Sequence, residues 1–100
     1  MNKIIGIMAK TKERGIQFLD DLIGEMKFKD VKNYVRNINK CEVELSNGTT
    51  YKVVPGNVSS RGYKFTDLYL DKDLDQEFIN CIALPSLITW GDNEPTITYF

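Results

Sequence analysis

The chain opens on a short, isoleucine-rich apolar run, Asn2–Ala9, followed almost at once by a segment whose apolar residues recur at helical spacing. A run that short and that apolar reads as a buried strand. Thr11 is placed to cap a helix over Lys12–Met26, with Ile16, Leu19, Leu22, Ile23 and Met26 on one face and Asp20, Asp21 and Glu25 opposite. Gly15 and Gly24 weaken such a helix by about 1 kcal/mol each relative to alanine, and Gly24 is a candidate terminator. A buried strand leading into an amphipathic helix is the start of an α/β architecture, in which the helix packs back on a sheet.

The period then changes from helical to alternating. Val31–Asn37 alternates, and Cys41, Val43 and Leu45 share one face of a second segment. Ser46-Asn47-Gly48-Thr49 predicts a hairpin turn of type I′, with Tyr51–Val54 returning as the partner strand. Pro55-Gly56-Asn57 ends that strand, and Val58–Lys64 is a polar loop.

Phe65–Leu70 reads as a further strand closed by Asp71. Asp73 and Gln76 have the spacing of a capping box, which predicts a second helix with Leu74, Phe78, Cys81 and Ile82 on its apolar side. Pro85 should end or kink it near Ala83 or Leu84, because proline lacks the amide donor. Residues 90–95 form a loop and Thr96–Phe100 a last strand. The strand–helix–strand units at either end predict parallel pairing there, with an antiparallel hairpin inserted. The expected fold is a single α/β domain over residues 1–100: a mixed sheet of five to six strands, two main helices, in two or three layers. Ile5, Ile7, Leu19, Leu22, Ile23, Leu68, Leu70, Phe78 and Ile82 are expected to form one core.

Composition removes several function classes. The 100 residues carry 13 basic and 14 acidic side chains, a net charge of −1, without the basic excess of a general nucleic-acid binder. There is no histidine, so the usual general base of a nucleophilic triad is missing and a zinc site would need thiols and carboxylates alone. Cys41 and Cys81 form no CxxC motif and read as reduced, partly buried thiols. No cofactor or metal is expected. The opening residues lack the length of a signal peptide and no run reaches a membrane span, so the expected location is the cytoplasm.

Several short motifs occur in a telling order: a hydrophobic strand ending Met8-Ala9-Lys10-Thr11 before a helix, the Asn47-Gly48 hairpin, Ser60-Arg61-Gly62, Leu68-Tyr69-Leu70-Asp71, and Leu84-Pro85-Ser86-Leu87 in a later helix. In this order the chain resembles the middle of the ATPase core of a phage large terminase or related P-loop translocase. The resemblance implies that the first strand and helix are those that follow the phosphate loop, and that Asp71 matches the aspartate that helps hold Mg²⁺. It implies too that the first strand pairs with the strand following the second helix, here Thr96–Phe100, whose usual neighbour is absent. The departures are as informative. No Gly-x-x-x-x-Gly-Lys-Ser/Thr occurs, and Lys72 stands where the family has its catalytic glutamate. A degenerate, P-loop-like core without its engine is the expectation, and hence no enzyme activity.

The remaining candidates are binding features. Ser59, Ser60, Arg61 and Lys64 could form an anion- or partner-binding loop, set against a plain hydrated turn. Lys27, Lys29, Lys32, Arg36 and Lys40, interleaved with Phe28 and Tyr34, form a candidate nucleic-acid stripe, which Glu25, Asp30, Glu42 and Glu44 dilute toward a plain solvated strand face. Asp71, Asp73 and Asp75 alternate like calcium ligands but lack the rest of that motif, which favours capping. Asp71, Asp73 and Glu77 are the only acids or bases a small enzyme could recruit. Thr96, Ile97, Thr98, Tyr99 and Phe100, without lysine or internal proline, are a candidate strand-pairing edge for a homodimer or a partner strand. The expected role is a non-catalytic, phage-encoded module that engages a protein partner (a packaging or helicase-type motor, or a host defence or replication factor) in the host cytoplasm. The alternative is a nucleic-acid accessory protein using the 27–40 stripe and the 59–64 loop.

Overall fold

A computed structural model describes residues 3–25, 31–36, 41–55, 63–88 and 94–100. Six strands form one mixed sheet in the order β2-β3-β4-β1-β5-β6. Their ranges are β1 Ile4–Ala9, β2 Val31–Arg36, β3 Cys41–Leu45, β4 Thr50–Pro55, β5 Asp67–Leu70 and β6 Ile97–Tyr99. β1 is a central strand, parallel to β4 on one side and to β5 on the other, while β2, β3 and β4 form an antiparallel meander. The inserted hairpin within a parallel frame is therefore present. One pairing differs from expectation: β1 is flanked by β4 and β5, so the last strand pairs with β5 and lies at the sheet's edge.

α1 (Lys12–Glu25) covers one face of the sheet. Thr11 caps it, its Oγ1 accepting the Arg14 N–H at 3.2 Å. Leu19 is fully buried against Ile7, Val43 and Cys41, with Leu22, Ile23 and Tyr69 packed around them. Gly15 is required by proximity, because a Cβ there would lie 2.8 Å from Val53 Cγ1. Gly24 does not end the helix, which runs on to Glu25.

The opposite face is covered by a second helical stretch. α2 (Gln76–Phe78) continues as a π-helical segment (Ile79–Ala83) and a 3₁₀ turn (Leu84–Ser86). Proline at position 85 cannot donate to the carbonyl four residues back, so the α-helical ladder cannot pass through it. The widened turn immediately before it takes up the mismatch, with the Leu84 N–H bonded to the Ile79 carbonyl. This changes the buried face: Phe78, Ile79, Ile82 and Ala83 point into the core and Cys81 is exposed, contrary to the helical-period expectation. Those residues pack on Met8, Val54, Leu68 and Leu70. The molecule thus has three layers and two hydrophobic clusters, one on each face. The single core expected from sequence splits between them, with Leu19, Leu22 and Ile23 on one side and Leu68, Leu70, Phe78 and Ile82 on the other.

Two turns also differ from expectation. Gly48 has φ 91°, but no described non-glycine residue has positive φ, so the hairpin is not type I′. The Gly48 N–H bonds to the Leu45 carbonyl and the Leu45 N–H to the Thr49 carbonyl, which makes Ser46-Asn47-Gly48 a three-residue loop with glycine in the left-handed position. Asn47 contributes its side chain, accepting the Thr49 N–H at 2.9 Å. Phe65 and Thr66 precede β5 instead of belonging to it. Phe65 exchanges backbone bonds with Ser86 and Ile88, and Thr66 Oγ1 accepts the Ile4 N–H at 2.9 Å.

Candidate functional site

In parallel α/β sheets, ligands bind beyond the carboxyl ends of the strands, where neighbouring strands send their chains to opposite faces. Here that place lies between β1, which leads into α1 on one face, and β5, which leads into α2 on the other. Asp71, the residue after β5, stands at this point and is fully buried.

Both oxygens of the Asp71 carboxylate are engaged by the protein. Oδ2 accepts the Lys10 N–H at 3.0 Å and lies 2.9 Å from Arg14 Nε. Oδ1 accepts the Asp73 N–H at 2.9 Å. Arg14 Nη1 bonds Asp73 Oδ2 at 3.1 Å, so one guanidinium joins both acids. The Asp71 N–H is bonded to the Met8 carbonyl, which ties the end of β5 to β1. A cation approaching this carboxylate meets a buried group whose charge is already matched by the guanidinium.

On the other side of the crevice the chain passes directly from strand to helix. Only Lys10 and Thr11 lie between β1 and α1. A link of that length offers none of the successive amides that wrap a phosphate. Lys72 is exposed, and its N–H is used by the Phe100 carbonyl. Of the three acids a small enzyme could recruit, Asp71 and Asp73 converge on Arg14, whereas Glu77 lies on α2 with its N–H bonded to Asp75. Asp75, not Asp73, is therefore the cap of α2.

The fold matches part of a solved protein. Against a large terminase from a thermophilic bacteriophage, the chain aligns over 98% of its length with a TM-score of 0.60. Its fold resembles part of a phage large terminase. Sequence identity is 14%, and the chain spans 25% of that terminase, so the likeness is one of fold. No family model matches the sequence, and no curated protein matches it.

The other sequence candidates fall only partly among the described residues. Ser59, Ser60 and Arg61 of the proposed loop lie outside the described residues, and Lys64 is exposed beside Tyr63, whose ring stacks on Phe65 at 5.8 Å. In the basic stripe, Lys27, Lys29 and Lys40 also lie outside them. The two described members do not share a face. A β-bulge between Val31 and Asn33 shifts the register, and Lys32 Nζ reaches Glu44 at 4.0 Å, while Arg36 Nη1 bonds Asp20 of α1 at 3.1 Å. Tyr34 joins the second group, its hydroxyl donating to Asp20 at 3.1 Å. Burial and that acceptor raise the Tyr34 pKa above its ordinary value. Burial likewise pushes the Cys41 thiol up.

Two features leave no local signal in the sequence. Arg14 stands there only as one of a cluster of charges, because its partner lies far along the chain. Asp67 is buried at the other end of β5, accepting from the Thr66 hydroxyl and from the Thr96 N–H at 2.9 Å. It fixes the approach of β6, and nothing in the neighbouring residues marks it as buried.

Proposed function

We propose that this chain is a non-catalytic binding module, a small phage-encoded protein of terminase-like fold that acts in the host cytoplasm by engaging a protein partner. The observation that carries this reading is the Arg14–Asp71 contact. A motor aspartate in this position must offer a free oxygen to Mg²⁺, and a positive charge beside the site opposes the ion. Here a guanidinium and two amides occupy the carboxylate, Lys72 follows it, and the two-residue link from β1 to α1 leaves no cradle for phosphates. A fold kept while its ligand crevice is sealed by internal bonds suits recognition better than turnover, and a packaging or helicase-type motor or a host factor are the partners that fit a phage protein.

Nucleic acid is the weaker alternative. Arg36 is engaged by Asp20, and in the groove of about 280 Å³ on the sheet face opposite α1, Lys52 lies beside Glu42 and is joined by Glu44, so the groove offers phosphates no basic excess. Titration with Mg²⁺ and ATP tests the non-catalytic half of the proposal, with neither binding nor phosphate release expected. Affinity capture of the tagged chain from phage-infected cells tests the other half. Recovery of DNA in place of a protein, released by moderate salt, would overturn it.

A further inference from the structure

The two edges of the sheet are built differently. β2 carries a bulge at Val31/Asn33 and the charged side chains Lys32 and Arg36, devices that discourage another strand from adding. β6 has neither. It is Ile97-Thr98-Tyr99, uncharged and unbulged, and among the described residues no strand lies beyond it.

β6 is held firmly from within. The Leu68 N–H donates to the Thr96 carbonyl, the Phe100 N–H to the Leu70 carbonyl and the Lys72 N–H to the Phe100 carbonyl, at 2.8–2.9 Å. Phe100 stacks on Phe18 of α1 with ring centroids 4.0 Å apart. Because backbone direction alternates along a strand, Thr96, Thr98 and Phe100 face β5. The N–H and C=O groups of Ile97 and Tyr99 therefore point away from the sheet. These two residues are 36% and 55% exposed, and they share the α2 side of the sheet with Leu68 and Leu70, their register partners.

We infer that the outer edge of β6 is a homodimerisation surface, on which a second copy of this chain pairs antiparallel about a two-fold axis at Thr98. The edge is complementary to itself. With the axis at Thr98, Ile97 faces Tyr99 of the second copy, and each such pair exchanges both of its N–H···O bonds. The outward-pointing groups are then satisfied, and none that faces β5 is disturbed. Side-chain chemistry agrees with this register. β-branched–aromatic pairs and a threonine–threonine pair are favoured cross-strand neighbours, and the two Ile97/Tyr99 pairs would form one apolar cluster on the α2 side. An isologous pairing of this kind closes on itself, so it yields a dimer and not a filament.

The test is the oligomeric state of the full chain by light scattering over a range of concentrations, with two variants. Tyr99→Pro removes only an outward N–H and suits an edge strand, and Ile97→Lys places a charge on the pairing edge. The expected result is a species of twice 11.5 kDa that both variants convert to a folded monomer with an unchanged circular dichroism spectrum. A chain that stays monomeric at the highest concentration overturns the inference. So does a dimer that survives both substitutions, since that dimer would use another surface.

Discussion

Arg14 Nε lies 2.9 Å from Oδ2 of Asp71, joining the first turn of α1 to the end of β5 across the crevice where a parallel α/β sheet would otherwise receive a ligand. The carboxylate is fully buried, and the arginine side chain is 39% exposed. This asymmetry orders the effects of mutation. Arg14→Ala leaves Asp71 with its two amide donors and lets water approach, for an expected loss of about 1–2 kcal/mol. Asp71→Ala strands the Lys10 and Asp73 amides and the guanidinium together, for an expected loss of about 3 kcal/mol. Urea denaturation of both variants measures the order. Equal and negligible losses would remove the contact's structural role.

The two helical glycines should respond oppositely to alanine. At Gly24 a Cβ meets nothing within 4 Å, so Gly24→Ala should stabilise α1 by about 1 kcal/mol through helix propensity. At Gly15 the new Cβ meets Val53 at 2.8 Å, and the helix must lift from β4. Overpacking of this kind costs about 1–3 kcal/mol, which outweighs the propensity gain. Thermal melts of the pair decide it, and stabilisation by both would show that α1 does not approach β4 as described.

Leu70 and Phe78 belong to the same cluster between β5 and α2. Leu70→Ala should cost about 2–5 kcal/mol and Phe78→Ala about 3–5 kcal/mol. Unchanged unfolding midpoints in both would mean that the α2 stretch does not cover this face.

Alkaline pH should weaken the fold. Burial is the first cause of the raised pKa values of Tyr34, Tyr51 and Cys41. A folded-state pKa above the unfolded one favours the neutral form, so this stabilisation is complete below the ordinary values of 9.0 for the thiol and 10.0 for the phenols, and it is lost as pH rises past them. The unfolding midpoint should hold up to about pH 9 and fall above it. A thiol reagent at neutral pH should label exposed Cys81 at once and buried Cys41 only on unfolding. Equal labelling rates would contradict the packing of β3 beneath α1.

What the sequence reveals follows from where its signals originate. β1, α1 and β3 are legible because each carries its own period, set by burial on one or two faces. The parallel frame with an inserted hairpin follows from the order of those elements. The α2 stretch reads on the wrong face at Cys81 because Pro85 forces a π turn, and a fixed period of 3.6 cannot anticipate that. The turn at Asn47-Gly48 is correctly located by its residues but has another geometry, since Asn47 bonds through its side chain and not by adopting positive φ. The candidate site is half legible. Asp71 stands out at the end of its strand, but the cation that occupies it lies far away in sequence and only the fold brings the two together.

Closure of this crevice to nucleotide is measured by phosphate release from ATP by the purified chain with Mg²⁺, set beside isothermal titration of the same pair. No release above the protein-free rate and no binding heat are expected. Mg²⁺-dependent turnover that disappears in Asp71→Asn would contradict that closure.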